Sequence, residues 1–418
     1  MSMQGDFSQS LSKIKVLGIG LVLFFMLLTS ESLVAAFPAI EIELGLNKTQ
    51  TGAIYSSYLV GYLLSALFIV PLSDKLGTKP IMLFSVLTSV ICHLIFPAIY
   101  SNIFLAVLVR ALAGAGLAAS YMCGLRLIAQ SVEKNYRGFA VGIFVTAQYM
   151  GHSFSLAFSG VLMSYFSWTD AYYILSFLAI FSFPLLFILT KNINSKDDAS
   201  ELVGKGKSSI IIALKNLIIR NISLSYSLHA LILYAIRSWL PYFIFGMFLL
   251  HGISEDFSSD FSSIAAGLIL IFGGFGPIAA GMVSDFFGRP NTIMAISLVS
   301  IFSCLILGWF DGVPIAAKFV VLLIFSLCIS GGSPIYSTVI NETKGRHRLG
   351  DAIAAQASIG LFGGLLGPII LGLFFDNFKS EFGWPISFSF IAILSIIVFV
   401  LMLQVKSFQK HELRSSSG

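Results

Sequence analysis

The sequence is dominated by apolar stretches too long for a soluble fold. A window of about 19 residues picks out twelve of them, at 14–40, 50–73, 80–99, 102–130, 137–166, 170–190, 221–250, 261–284, 291–310, 314–340, 350–376 and 383–405. Crossing the hydrocarbon core takes about 20 apolar residues in a helix. Within lipid the backbone must satisfy its own hydrogen bonds, which a helix does and an open strand does not. Each stretch is therefore expected to be a transmembrane helix. Composition points the same way, with 57% hydrophobic and 11% charged residues, against about 25% charged in soluble domains. Twelve spans in 418 residues leave no room for a soluble catalytic domain. Lys13 and Lys15 precede the first stretch as they would in a leader, but its apolar run continues to about Ile40, so a retained first span is expected.

The longest polar segment, from Lys191 to Arg220, is rich in Lys, Asp, Ser and Gly and reads as a solvated linker. It divides the chain into an N-terminal six-helix bundle at 1–190, a cytoplasmic linker at 191–220 and a C-terminal six-helix bundle at 221–418. Within the linker, Ile210–Ile219 is apolar apart from Lys215 and could lie along the membrane surface. Of the 25 Lys and Arg, nineteen fall on the side that holds both termini, three (Lys48, Lys318 and Lys379) on the other, and three inside spans. By the positive-inside rule both termini are expected in the cytoplasm, the protein sitting in the inner (plasma) membrane. The net charge of +5 is explained by that distribution and does not call for nucleic acid. Cys92, Cys123, Cys304 and Cys328 lie singly in apolar runs, without CxxC or metal-ligand spacing. No metal and no cofactor are expected.

An internal repeat runs through the chain. Leu72-Ser73-Asp74-Lys75-Leu76-Gly77 closes the second span and Val283-Ser284-Asp285-Phe286-Phe287-Gly288 closes the eighth, 211 residues later. Gly138, Gly151 and Gly160 of the fifth span recur as Gly350, Gly363 and Gly372 of the eleventh, all displaced by 212. Duplicated halves are how secondary transporters build a central site and expose it to each side in turn. Gly151, Gly160 and the run Gly363-Gly364-Leu365-Leu366-Gly367-Pro368 are expected at close helix contacts, with a hinge at Pro368 as the other reading. Asp74 and Asp285 sit at tight turns where a carboxylate can accept from helix amides. They either latch one conformational state or merely cap helix ends.

Six plus six spans, a basic central loop and a Ser-Asp-x-x-Gly turn after the second span resemble the major facilitator superfamily over essentially the whole chain. Relative to that family's loop pattern, the first copy keeps Leu72, Ser73, Asp74, Lys75, Gly77 and Lys79, with Val70 in place of a glycine. The second keeps Gly281, Ser284, Asp285, Gly288 and Arg289, with Phe286 where a base would stand, which implies a weaker second latch. Arg110-Ala-Leu-Ala-Gly114-Ala-Gly116 is similar to the family's fourth-span pattern. The resemblance implies an all-α membrane protein with twelve transmembrane helices in two pseudo-symmetric six-helix bundles. The family's drug–proton antiporters carry a Gly-Pro-rich signature on span 5, whereas the Gly-Pro here is on span 11, which counts against efflux.

Charge inside a bilayer costs about 2.5–3.5 kcal/mol on insertion scales, so each intramembrane charge needs a partner or a purpose. Glu31 lies in span 1, Arg110 and Arg126 in span 4, His229 and Arg237 in span 7. Gln148 and His152, four apart on span 5, add a polar stripe, in which His152 reads as a packed polar residue. In the resembling family spans 1, 4, 7 and 10 line one cavity, which implies that Glu31, Arg110, His229 and Arg237 share it. Three arginines against one glutamate favour an anion, since a guanidinium can bond two oxygens of a carboxylate or phosphate. Arg237, Arg110, Tyr234, His229 and Gln148 are the expected substrate contacts. Glu31 or His229 is the expected proton carrier, because histidine titrates near neutral pH and burial penalises a charged carboxylate. Asp74, Lys75, Gly77, Asp285, Gly288 and Arg289 form the expected latches. The competing reading is a fixed ion pair between Glu31 and Arg237 or Arg110, with Arg126 snorkelling to the inner surface.

No catalytic constellation and no phosphate-binding GxxxxGK[ST] loop occurs in the sequence, which argues against an ATP-driven pump and against a membrane enzyme and leaves a gradient, or passive transport. The expected function is secondary active transport of a small, anionic organic solute by alternating access. It is expected to be proton-coupled uptake by a monomer, with protons or another coupling ion, the solute and the bilayer as partners. The alternative is proton-coupled efflux of drugs or amphipathic metabolites.

Overall fold

The computed structural model describes residues 2–132, 137–191, 213–342, 349–378 and 380–415; most of the expected linker and Lys134, Lys344, Arg346, Arg348 and Lys379 lie outside them. The described chain is helical from end to end. In order run α1 (Ser2–Leu27), α2 (Ser32–Ala35), α3 (Phe37–Leu44), α4 (Lys48–Phe68), α5 (Ser73–Leu76), α6 (Thr78–Ile99), α7 (Ile103–Ser131), α8 (Arg137–Met163), α9 (Trp168–Ile180), α10 (Ser182–Leu189), α11 (Leu217–Leu250), α12 (Glu255–Gly273), α13 (Gly276–Phe287), α14 (Arg289–Trp309), α15 (Ile315–Glu342), α16 (Leu349–Asn377) and α17 (Ser380–Ser415). Eleven spans among the described residues are long and apolar enough to cross a membrane. The remaining expected span is α8, 27 residues long, whose hydropathy is lowered by Gln148, His152, Ser153, Ser155 and Ser159.

Three boundaries differ from expectation, each for a local reason. The first span is not one helix: α1 stops at Leu27, a turn occupies 28–31, and α2 starts at Ser32. The seventh begins at Leu217, because the Asn216 side chain accepts from the N–H groups of Ile218 and Ile219 at 2.9 and 3.2 Å and so caps the helix there. Leu217, Ile218 and Ile219 are thus the first turn of a long span and not part of a surface segment. The eighth begins at Glu255 and is interrupted between α12 and α13; Glu255 and Asp256 fall in the first turn of α12, where a negative charge meets the positive end of the helix dipole.

Contacts divide the chain into two compact units. The first holds Met1–Leu46, Ile54–Val203 and Ser259–Leu268; the second holds Asn47–Ala53, Gly204–Ser258 and Ile269–Gly418. In the first, α1 packs along α8 and α6 along α7. In the second, α11 packs along α16 and α14 along α17. The first and fifth spans therefore pair as the seventh and eleventh do, which is the pairing a duplicated unit requires.

Glycine makes these contacts close. A Cβ on Gly151 of α8 would lie 2.8 Å from Leu27 Cβ, and one on Gly363 of α16 would lie 2.1 Å from the Ser227 carbonyl oxygen. In the first unit α4 and α7 approach closest, where a Cβ on Gly61 would fall 1.7 Å from the Ala111 carbonyl oxygen and one on Gly114 1.9 Å from that of Tyr58. Backbone, unlike a flexible side chain, cannot swing aside. Gly114→Val is accordingly expected to destabilise the protein by about 2–3 kcal/mol or more, the upper range for overpacking. Thermal unfolding in detergent checks this, and a wild-type midpoint would contradict it.

At one end of the first unit, the Glu43 carboxylate accepts from Tyr100 OH at 2.8 Å and from Trp168 Nε1 at 3.0 Å. It ties the ends of α3, α6 and α9 together, and its hydrogen bond holds the Tyr100 phenol above its ordinary pKa.

Candidate functional site

In the first unit the site is built on the turn that breaks the first span. Ser30 donates its hydroxyl to the Leu27 carbonyl at 2.7 Å, and the Glu31 N–H donates to Ser155 Oγ of α8 at 3.0 Å. Side chains thus replace the i→i−4 ladder. The backbone bonds that remain, Leu28 N–H to Phe25 O and Ser30 N–H to Leu27 O, have the tighter i→i−3 form. Unwound backbone at membrane depth persists only where protein or a cavity satisfies it. Thr29, Ser30, Glu31 and Ser32 are all buried, so a carboxyl 2% exposed sits in a polar pocket of its own chain.

His152 and Tyr55 face Glu31 from neighbouring helices. His152 of α8 places Nδ1 3.1 Å from Oε1 and 2.8 Å from Ser30 Oγ, and Tyr55 of α4 directs its hydroxyl at Oε1 from 3.5 Å. Ser159 Oγ donates to Ser32 Oγ at 2.8 Å, so α8 grips both sides of the break. Sequence reasoning treated His152 as packing. The structure makes it the partner of Glu31, a pairing 121 positions apart that only the α1–α8 contact reveals. Gln148 lies one turn before it, half-buried.

Arg110 is 1% exposed. Its Nη2 donates to the Ser30 carbonyl at 3.4 Å and its guanidinium lies over the Tyr58 ring at 4.7 Å, a cation–π geometry. Its Nε and Nη1 have no hydrogen-bond partner among the described residues. Beside this group, His93 of α6 bonds Tyr172 of α9 through Nδ1 at 2.9 Å.

In the second unit, His229 of α11 is buried and meets Ser333 Oγ at 3.3 Å through Nε2. Tyr336 stands 5.3 Å away, ring centre to ring centre, and a Cβ on Gly332 would strike its imidazole at 2.5 Å. Tyr234 packs its ring over Gly364 of α16, and Trp239, fully buried, donates to the Pro368 carbonyl at 3.0 Å. Arg237, 8% exposed, borders a small cavity of about 20 Å³ among α11, α12 and α15. The wall is aliphatic and aromatic, including Ile236, Leu240 and Phe325, with Ser326 and Ser330 as its other polar residues. Among the described residues, no group of three or more His, Cys, Asp and Glu could hold a metal ion.

The repeated Ser-Asp turns are more alike than their sequences suggest. Gly77 and Gly288 both have positive φ, 90° and 83°, a conformation other residues adopt only with strain. In the first copy, Arg126 of α7 bonds Asp74 Oδ1 at 2.5 Å and Ser73 Oγ at 2.8 Å; it is held there and does not merely snorkel. In the second, Arg289 bonds Ser284 Oγ at 2.5 Å, Asp285 at 2.6 Å and Glu342 at 3.2 Å. Each pair thus carries a guanidinium, taken from a different helix in each copy. Lys75 is exposed.

A family model described as Major Facilitator Superfamily matches residues 19–248 and 242–418. The chain is similar to an uncharacterized transporter of Buchnera aphidicola, at 24% identity over 88% of this chain and 86% of that protein. It is also similar to the hexuronate transporter of Bacillus subtilis, at 22% identity over 89% and 91%. Its fold is that of a bacterial homolog to the human lysosomal transporter Spinster, with a TM-score of 0.74 at 15% identity, covering 96% of this chain and 98% of that one.

Proposed function

The chain belongs to the major facilitator superfamily, and from that premise we propose that it carries a small organic anion together with a proton across the inner membrane, by alternating access and in the direction of uptake. Members of this superfamily are multi-pass membrane proteins that transport small molecules and are not enzymes. The observation that carries the anion is Arg237, a buried guanidinium at the edge of a small cavity inside the second unit. Carboxylate and phosphate are the groups its planar fork recognises best, and the hexuronate relative, whose named solute is a sugar acid, supports the same choice. Arg110 is the corresponding contact in the first unit, with Tyr234, His229 and Gln148 as further contacts. Glu31 is the proton carrier, since carboxylates inside a membrane mark proton relays. His229 is the weaker candidate for that role, because its ring is enclosed by Gly332, Ser333 and Tyr336. The distribution of basic residues favours cytoplasmic termini, and a monomer suffices.

Thermal-shift binding of small organic acids, beside their uncharged amides and lipophilic cations, tests this reading. A ligand at 100 times its Kd stabilises by about 2.7 kcal/mol, so binding acids should raise the melting temperature while their amides do not. The apolar wall of the Arg237 pocket favours one alternative, proton-coupled efflux of an amphipathic compound. Stabilisation by lipophilic cations alone would select it and sink the anion.

Asp74 with Arg126, and Asp285 with Arg289, serve as latches on one conformational state, Lys75 contributing charge and Gly77 and Gly288 the turn. Both ion pairs are partly exposed, where such pairs add only about 0–1 kcal/mol to stability. Asp74→Asn and Arg126→Gln should therefore leave the melting temperature nearly unchanged. Each should slow transport by about tenfold, and the double variant should be no slower than either single one, as for residues that act as a unit. Fully additive losses would contradict the pairing.

A further inference from the structure

We infer that His152 and Glu31 bind one transported proton jointly, as a carboxylate–imidazole pair seated in the break of the first span; this rests on the reading of Glu31 as proton carrier. Both residues lie in the first unit and both are buried. Ser30 gives its only hydroxyl hydrogen to the Leu27 carbonyl, so its oxygen can meet His152 Nδ1 at 2.8 Å only as an acceptor. Nδ1 therefore carries a hydrogen, and Glu31 Oε1 lies 3.1 Å from the same nitrogen.

The proton balance follows. Unloaded, the pair is a carboxylate and a neutral imidazole, with one negative charge. A proton arriving from water adds at Nε2, giving an imidazolium that faces the carboxylate. Passing the Nδ1 hydrogen across to Oε1 then gives a carboxylic acid and a neutral imidazole. Both loaded forms have no net charge, and release returns one proton to water. Loading thus changes the charge of the pair by one unit beside the buried Arg110 guanidinium, so the protonation state alters the electrostatics of the break.

Among the groups facing the pair are Tyr55 from α4, at Oε1, and Arg110 from α7, on the Ser30 carbonyl. Tyr58 lies against that guanidinium, and His93 and Tyr172 bond each other alongside. Ser155, three residues beyond His152, holds the Glu31 N–H. One helix therefore grips the backbone of the break and supplies half of the proton site, so a change in protonation acts directly on the α1–α8 joint.

Infrared difference spectra of the reconstituted full-length protein through a pH series test the pair with the proton itself as probe, and no substrate is needed. In the wild type a carboxylic-acid band and an imidazole band should change over one common pH range. Glu31→Gln should remove the carboxyl band. His152→Gln should remove the imidazole band and move the midpoint of the carboxyl band by about one pH unit or more. Ser30→Ala, a milder change that keeps both titrating groups, should move both bands together and covers the case in which His152→Gln does not fold. Bands that titrate independently, a carboxyl midpoint unmoved in folded His152→Gln or Ser30→Ala, or no titration of either group would each overturn the pair. Failure of the solute panel with this coupling intact would overturn the anion and leave the pair standing.

Discussion

Glu31→Gln is expected to abolish proton-driven accumulation while leaving solute exchange across the membrane within about threefold of wild type. Glutamine keeps the size and most of the hydrogen-bonding capacity of the side chain, and the Ser155 bond to the backbone N–H does not depend on it. What it loses is the ability to take up and release a proton. For a solute carried with one proton, a gradient of one pH unit can sustain about a tenfold concentration ratio, since each unit corresponds to 1.36 kcal/mol. In the variant that ratio should fall to one. Parallel loss of exchange and accumulation would assign Glu31 a structural role and remove it from coupling.

Arg237→Ala should weaken solute binding by about 10- to 150-fold, the equivalent of the 1.5–3 kcal/mol that hydrogen bonds to charged groups contribute. Arg237→Lys should recover only part of this, because an ammonium supplies charge without the two-pronged fork. The uncharged amide of the same solute should bind wild type and Arg237→Ala alike. Isothermal calorimetry in detergent reads all of these. Undiminished affinity for the acid would show that Arg237 serves the packing of α11 and does not meet the solute.

Much of the fold was legible because hydropathy is averaged over a whole span and a duplication is visible at any well-matched offset. The same averaging hid the break in the first span. Four polar residues, Thr29-Ser30-Glu31-Ser32, barely lower a 19-residue mean, yet among them Ser30 supplies the hydroxyl that bonds the Leu27 carbonyl; that run was the available signal. At the seventh span, Lys215 read as an interruption of an apolar segment, while the neighbouring Asn216 is the cap that starts the helix. The partners of charged residues were less legible. Glu31 was singled out for its place in an apolar run, but His152 stands 121 positions away in the fifth span and becomes its partner only through α1–α8 packing. Arg126 likewise meets Asp74 across 52 positions, a contact set by where α7 passes the turn. The base missing at Phe286 implies a weaker second latch; at that turn Arg289 reaches back across Gly288 to Asp285.

Uptake of radiolabelled small organic acids into proteoliposomes, with and without an inwardly directed proton gradient, is the most direct measurement of what the protein does. The expected result is accumulation of an acid above its external concentration under the gradient, collapsing on addition of a protonophore and absent in Glu31→Gln vesicles. Uptake of no acid, or accumulation that ignores the proton gradient, would contradict proton-coupled anion transport.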